Sequence, residues 1–262
     1  MKHIKSDQSM SRFFIEISYK GTSFAGWQRQ DNAITIQEVF ESNLSRLCNT
    51  QISIVGCGRT DAGVHASQYF FHVDLPVDRF SSKDLSHKLN MMVGRDIAVH
   101  RIIHVDDDAH ARFDAQRRSY EYFISFKKDP FKTGLYYNYD QSGKPDFTLL
   151  GEAADLVKQH SSFYPFCKSN SDVETFECKI FESNWELIDD HSLKYNIAAN
   201  RFLRGMVRLI VGMCINVANN KISLQEVQTC LEKQQRLSRP WSVPAEGLFL
   251  SRITYPYIDH IE

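Results

Sequence analysis

Between residues 12 and 105 the spacing of apolar residues changes in an order that few folds can accommodate. Segments rich in β-branched and aromatic residues alternate with segments in which apolar residues recur every three or four positions. The spacing predicts strand, helix, strand, strand, helix and strand at 12–19, 35–48, 52–57, 68–75, 81–93 and 97–105. This order is typical of the split βαβ arrangement found in ferredoxin-like domains.

The second half of the chain repeats this order less regularly. Strands are predicted at 118–126, 176–189, 193–199 and 248–253, and helices at 147–159, 201–217 and 224–234. We therefore expect two similar α+β halves. The expected division is an N-terminal tail at 1–11, a first domain at 12–106 and a second domain at 107–262. Long loops are expected at 127–146 and 160–175.

Two helix starts carry their own local signals. Thr35 is predicted to cap the first helix, because Glu38 follows at the spacing of a capping box. Ser81 or Ser82 is predicted to open the second helix, since serine side chains accept hydrogen bonds from the first turn.

Composition narrows the class of protein. The chain has 262 residues, of which 42% are hydrophobic and 24% charged, so a disordered or fibrous chain is excluded. Its longest apolar stretch, 209–215, is far shorter than the ~20 residues of a membrane span. The N-terminus is polar, and we expect a cytoplasmic protein without a membrane partner. Six dispersed cysteines are expected as reduced, mostly buried thiols, and ten scattered histidines do not suggest a metal site.

The distribution of charge is more informative than its sum. The formal net charge is −1, but residues 191–225 contain five basic residues and no acidic one. Arg201, Arg204 and Arg208 recur at spacings that share one face of the predicted helix 201–217. Such a basic helix suits phosphate contacts, although an exposed helix with solvated arginines remains an alternative. A second basic group contains Arg112.

Aromatic residues in the predicted loops favour the same kind of partner. Phe24 and Trp27 lie in one loop, and Tyr136, Tyr137 and Tyr139 lie in another. Single-stranded RNA bases stack on such rings. The residues alone therefore leave an RNA-binding protein and an ordinary globular surface as open alternatives.

A glycine-containing stretch between two predicted strands is the strongest candidate site. It has the sequence GCGRTDAGVH at 56–65 and carries Arg59 and Asp61. Glycines allow close approach of a ligand to the backbone. The alternative is a tight turn in which Asp61 accepts backbone hydrogen bonds. Neither His65 nor His72 has the spacing of a metal motif, and Cys57 has no activating base nearby in sequence.

The sequence GRTDAGVHA at 58–66 resembles the signature loop of the tRNA pseudouridine synthase A family. Further stretches similar to the family follow its order along the chain. They are GTSFAGWQRQ at 21–30, TIQ at 35–37, ARF at 111–113, YEY at 120–122, ANRF at 199–202, MVR at 206–208 with VG at 211–212, and PAEGL at 244–248. Lys20, Ser119 and the stretch 162–167 depart from the family pattern.

The resemblance implies a fold, an activity and an assembly. The fold would be two ferredoxin-like α/β halves with a central antiparallel sheet and cleft, the pseudouridine synthase fold. The enzyme would be an isomerase that converts uridine to pseudouridine at positions 38, 39 and 40 in the anticodon stem-loop of tRNA. It would act as a homodimer, with no metal and no other cofactor.

The resemblance also implies roles for single residues. Asp61 would be the catalytic carboxylate, and Tyr120 would stack on the target uracil. Arg208 would pair with the aspartate, Leu248 would form an apolar wall, and Arg59 would contact phosphate or backbone. Arg201, Arg204 and Arg112 are further predicted contacts to the RNA backbone.

Two other functions compete with this interpretation. A non-catalytic RNA-binding module would need no Asp61, and a nucleotide hydrolase using Asp61 and His65 would depend on a metal. Whether Asp61 acts as nucleophile or base stays open at this level.

Overall fold

The computed structural model describes residues 9–76, 79–139, 144–168 and 174–258. The chain forms two compact units. The first unit contains the described residues up to Ala115 and those from Tyr255 onward, and the second unit is Gln116–Thr254. The predicted boundary at 106/107 is therefore displaced, because 107–115 and the chain end belong to the first unit. Residues 1–8 of the predicted tail lie outside the described residues, and Met10 already begins a strand.

The first unit has the element order predicted from the sequence. Its elements are β1 (Met10–Tyr19), α1 (Ile36–Cys48), β2 (Val55–Gly56), β3 (His65–Pro76), α2 (Ser82–Met92) and β4 (Ile97–His104). Only the strand expected at 52–57 is much shorter than predicted. The reason is that α1 side chains take its backbone donors: Ile52 N donates to Ser45 Oγ and Ile54 N donates to Glu41 Oε1.

Both predicted helix caps are confirmed. The backbone N–H of Glu38 donates to Thr35 Oγ1 over 3.3 Å, and that of Asp84 donates to Ser81 Oγ over 3.1 Å. Each bond satisfies one donor that the first turn of a helix leaves without an intrahelical partner.

The sheet of the first unit has the order β4-β1-β3-β2, with antiparallel neighbours. Consecutive residues of β3 face opposite sides, and both sides are covered. On one side the Phe71 ring lies 4.8 Å from Phe40 of α1. On the other side the Phe70 and Phe14 rings lie 5.4 and 5.2 Å from Tyr255. The end of the chain thus covers a face of the first sheet.

The second unit repeats this topology. Its elements are β5 (Arg117–Ser125), β6 (Tyr137–Asn138), α3 (Phe147–Lys158), β7 (Ile180–Asp189), β8 (Ser192–Ala199), α4 (Met206–Ala218), α5 (Leu224–Lys233) and β9 (Leu248–Thr254). The main strands follow the order β9-β5-β8-β7, which is the order of β4-β1-β3-β2 in the first unit. The predicted α+β fold of two ferredoxin-like halves is confirmed.

The predicted long loops are partly structured. Described parts contain 3₁₀ turns at Pro130–Lys132 and Tyr164–Phe166, besides β6. Residues 140–143 and 169–173 of these predictions lie outside the described residues. The strand expected from 176 begins at Ile180.

Helix α4 is the main departure from the sequence prediction. It begins at Met206 and not at residue 201, after Gly205 with φ 71°. A Cβ at Gly205 would lie 2.7 Å from Lys168 Cε. Every α4 residue except Arg208 is buried, so the predicted basic helix is wrong. The helix lacks acidic residues because it is a core helix, not because it binds phosphate along its length.

The six cysteines, which all lie in the described ranges, are buried thiols and form no disulfide, as predicted. No described helix is long and apolar enough to cross a membrane.

Candidate active site

The loop 57–64, which carries Arg59 and Asp61, connects β2 to β3. Hydrogen bonds from two buried tyrosine side chains hold it in place. The Tyr69 hydroxyl donates to the Gly58 carbonyl over 2.5 Å, and burial raises the pKa of Tyr69, which keeps this donor protonated. The Tyr19 hydroxyl bonds to Thr60 Oγ1 over 2.9 Å. Because these bonds come from buried rings, the backbone before Asp61 is fixed.

A second glycine-containing segment, 21–27, packs directly against this loop. Trp27 N donates to the Thr60 carbonyl over 3.2 Å, and Gly63 N donates to the Phe24 carbonyl over 3.3 Å. A Cβ at Gly26, whose φ is +86°, would lie only 2.3 Å from Thr60 O. The two glycine motifs of the sequence therefore form one structure.

The surroundings of Asp61 resemble a tight turn, as the alternative prediction proposed. Val64 N donates to the Asp61 carbonyl over 3.2 Å, and Gly63 has φ +79°. Asp61 is half-buried. His65 has a structural role, because its Nδ1 accepts the Gly21 N–H over 3.0 Å in the interior.

A cavity of about 220 Å³ adjoins the loop in the first unit. Its lining includes Trp27, Gly58, Arg59 and Arg112, so the structure brings two of the predicted RNA contacts together. Both arginines are exposed. Cationic side chains beside a recess suit a phosphate or a nucleotide.

Two residues that line this cavity, Gln37 and Ile54, are held from behind by a glutamate that the sequence analysis did not identify. Glu41 lies on α1 and is only 9% exposed. Its carboxylate accepts from Gln37 Nε2 over 3.0 Å and from Ile54 N over 3.2 Å, and it pairs with Arg29 over 3.4 Å. A glutamate between Phe40 and Leu44 on the apolar face of a predicted helix was the available signal.

Tyr120 lies on β5 of the second unit. It is paired with Ile197 on one side and Leu250 on the other, next to a register shift at Ser119. Its half-buried ring meets Phe202 edge to face, with centroids 5.2 Å apart.

Arg208 and Leu248 both lie in the second unit, next to the segment 243–247. Arg208 Nε donates to the Val243 carbonyl over 2.6 Å, which fixes its guanidinium at the start of α4. The Tyr122 hydroxyl donates to the Pro244 carbonyl over 2.9 Å. Leu248 is buried and pairs with Tyr122 across β9 and β5.

Several sequence expectations need correction. Arg201 lies in the irregular segment after β8 and Arg204 in the turn before Gly205, so they do not share a helix face with Arg208. Trp27 and Tyr139 are each 2% exposed and are core residues rather than platforms for bases.

Within the described ranges, no group of three or more His, Cys, Asp or Glu side chains is placed to hold a metal ion.

Comparison with known proteins gives this arrangement its context. A family model described as tRNA pseudouridine synthase matches residues 16–114 and 160–256. The chain belongs to the tRNA pseudouridine synthase family. A relative from Porphyromonas gingivalis, named tRNA pseudouridine synthase A, is 41% identical over 249 residues, which are 94% of this chain and 98% of the relative.

Relatives of the same name occur in other bacteria. The one from Bacteroides fragilis is 39% identical over 95% of this chain and 98% of its own length. The one from Staphylococcus aureus is 32% identical over 96% of this chain and 93% of its own length. A tRNA pseudouridine synthase is an isomerase, which breaks the N-glycosidic bond of a uridine in tRNA and rejoins the base through carbon 5.

Proposed function

We propose that this tRNA pseudouridine synthase acts on uridines 38, 39 and 40 of the anticodon stem-loop and that Asp61 is its catalytic carboxylate. The observation that carries the assignment is the construction of the loop 57–64. Two glycine motifs and buried tyrosine hydroxyls fix its backbone, while Asp61 itself is only half-buried. A rigid support under an accessible carboxylate is what positioned catalysis requires.

Before the reaction, the target uracil is stacked in the RNA, where the catalytic side chain cannot reach its ribose. A uridine stacked in RNA must be flipped out, which costs a few kcal/mol of stacking. We assign Tyr120 to stack on the flipped uracil, which offsets part of this cost. The ring is already oriented by its edge-to-face contact with Phe202.

The Asp61 carboxylate then acts on the ribose, either as nucleophile at C1′ or as base at the 2′ position. The N1–C1′ bond breaks, the uracil turns, and a C5–C1′ bond forms. The proton lost from C5 is balanced by the one gained at N1, so the product is an isomer of the substrate.

Arg208 and Leu248 have supporting roles in this proposal. We assign Arg208 as the ion-pair partner of Asp61, as the family resemblance implies. The bond from its Nε to Val243 restricts the orientation of the guanidinium. Leu248 supplies an apolar wall, which protects the broken glycosidic bond from hydrolysis.

Four arginines, of which Arg201 is half-buried and the others are exposed, would hold the RNA backbone. Arg59 and Arg112 contact phosphates from the cavity of the first unit, and Arg201 and Arg204 do so from the second unit. We further propose a homodimer that binds the anticodon stem-loop and works in the cytoplasm, where its tRNA substrate is found.

The test maps the tRNA positions at which pseudouridine forms. Purified protein is incubated with unmodified tRNA transcripts in EDTA, and pseudouridine is mapped. Wild type should modify positions 38–40, and Asp61→Asn should show no turnover while binding tRNA within a few fold of wild type. Turnover by folded Asp61→Asn would contradict its assignment. A binding module would leave the RNA unmodified even with wild type, and a metal-dependent hydrolase would lose activity in EDTA.

A further inference from the structure

The turn 110–114 of the first unit presents an aromatic ring to solvent. Phe113 is 74% exposed, and its neighbour Arg112 is exposed as well. Both belong to the stretch ARF at 111–113, for which the proposed reaction gives the phenylalanine no role. A single exposed apolar side chain does not by itself call for a partner; what distinguishes this ring is how the turn holds and flanks it.

The base of this turn is anchored in the interior. Ala111 N donates to His72 Nδ1 over 3.1 Å, and the Tyr255 hydroxyl donates to the Ala111 carbonyl over 2.5 Å. Both bonds are buried, and they join the turn to β3 and to the end of the chain. A segment held in this way keeps its shape when a ligand arrives.

The turn is also closed on itself. The N–H groups of Arg112 and Phe113 both donate to His110 Nδ1, over 3.1 and 3.2 Å. Asp114 Oδ2 accepts from His110 N over 2.6 Å and from the Tyr257 hydroxyl over 2.7 Å. The backbone that carries the exposed ring therefore has little freedom.

One side of the Phe113 ring is already supported. The His110 ring lies 4.2 Å from it, centroid to centroid, with 31° between the planes. The guanidinium carbon of Arg112 lies 5.8 Å from the Phe113 centroid. A ring that is covered on one side by a tilted neighbour and is mostly exposed can accept a planar group on its other face, and a cation beside it favours an anionic one.

The position of Arg112 connects this turn to the reaction. Arg112 lines the same cavity as Arg59, which is two residues before Asp61. A nucleotide held here is therefore near the backbone that carries the catalytic carboxylate.

We propose that Phe113 and Arg112 form a nucleotide platform: Phe113 stacks on the base of an unpaired nucleotide next to the target uridine, and Arg112 binds its phosphate. The platform rests on the proposed function, which makes the anticodon stem-loop the substrate. Flipping a uridine leaves its neighbours without a stacking partner, and an exposed ring replaces that partner independently of sequence. Such a platform lets one enzyme accept uridines in different sequence contexts.

The experiment measures the affinity of an unmodified anticodon stem-loop RNA at several salt concentrations. Phe113→Leu removes the aromatic face but keeps an apolar side chain, and we expect affinity to fall at least about fivefold. Phe113→Trp should retain wild-type affinity. Arg112→Ala should lower the slope of log affinity against log salt concentration by about one.

Phe147→Leu and Arg46→Ala, at exposed positions on α3 and α1, are matched controls and should bind as wild type.

Three results overturn the platform: wild-type affinity in Phe113→Leu, equal loss in Phe113→Trp and Phe113→Leu, or a change of oligomeric state in sedimentation that accounts for the loss. The last result would place Phe113 in a protein interface. Mapping pseudouridine made by wild type in parallel separates the two proposals. If wild type modifies positions 38–40 while Phe113→Leu binds normally, only the platform fails. If wild type modifies other positions, the proposed function fails first.

Discussion

His72 shows how a single buried side chain constrains the first unit. It is 6% exposed, and desolvation lowers its pKa from 6.5 to about 4, with smaller contributions from Arg12 and His110. The nearby Asp74 and Asp114 raise the pKa but do not compensate. Its Nδ1 accepts the Ala111 N–H, which requires the neutral ring. The imidazole is therefore a structural acceptor and not a pH-active catalytic group.

This depressed pKa predicts how stability depends on pH. The unfolded chain binds the His72 proton at about pH 6.5 and the folded chain only near pH 4, so protonation favours unfolding between these values. Stability should be constant above about pH 7.5 and should decline as the pH falls towards 4, by up to about 3 kcal/mol from this residue. Urea unfolding at pH 7.5, 5.5 and 4.5 measures the decline.

His72→Gln is the control for that measurement, because its amide oxygen can accept the same N–H without titrating. The variant should lose most of the pH dependence in this range. An unchanged pH profile in His72→Gln would assign the acid sensitivity to other groups.

At the scale of elements, the loop 57–64 depends on the segment beside it. Gly26→Ala would put a Cβ 2.3 Å from Thr60 O, which forces the backbone near Asp61 to move. A displacement of about 1 Å at a catalytic group can cost about 100-fold in rate. We expect single-turnover pseudouridine formation to fall by roughly that factor, with tRNA affinity changed much less.

Gly94→Ala is a matched control for Gly26→Ala. Gly94 has nearly the same backbone angle, φ +83°, but nothing lies within 4 Å of an added Cβ. Both variants carry the left-handed backbone strain of about 1–2 kcal/mol. An equal loss of rate in the two variants would show that backbone strain, and not contact with the loop, limits activity.

The arginines around the start of α4 should separate into two groups. Arg204 is exposed in the turn before the helix, whereas Arg208 is fixed by Val243. Arg204→Ala, and likewise Arg201→Ala, should lower the salt slope of tRNA binding by about one or less. Arg208→Ala should abolish turnover and leave the slope nearly unchanged. Titrations at several salt concentrations test this, and unchanged slopes in the first two variants would place the RNA elsewhere.

The success of sequence prediction depended on how local its signals are. The caps at Thr35 and Ser81 were predictable, because a helix N-terminus is decided within four residues. The start of α4 was not, since apolar periodicity continued across Gly205, whose left-handed backbone (φ 71°) sets the helix start. The shortening of β2 depends on Glu41, which is distant in sequence.

The candidate site was predictable only in part, for the same reason. The glycines and Asp61 of the stretch 56–65 marked the loop directly. The support from Tyr69 and the proximity of Arg59 to Arg112 depend on tertiary folding. Pairing of Asp61 with Arg208 stays a prediction.

At the scale of the whole molecule, each half has the same strand order, but the first unit is discontinuous in sequence. Tyr255 returns after the second unit, packs on Phe14 and Phe70, and bonds to Ala111. We expect Tyr255→Ala to lower the free energy of unfolding by about 3–5 kcal/mol through lost packing. Tyr255→Phe should cost about 1–3 kcal/mol, because only the bond to the buried carbonyl is lost. Denaturant unfolding checks both values, and near-wild-type stability of Tyr255→Ala would contradict the covering role.

The late position of Tyr255 in the sequence also delays completion of the first unit during synthesis on the ribosome. All of Gln116–Thr254 is translated between Ala115 and the tyrosine that covers Phe14 and Phe70. At ordinary synthesis rates this interval lasts roughly 7 to 28 seconds. During that time the nascent first unit keeps one face of its sheet without its cover, and it is a candidate client for chaperones at the exit tunnel. The half of the enzyme that emerges first is completed last.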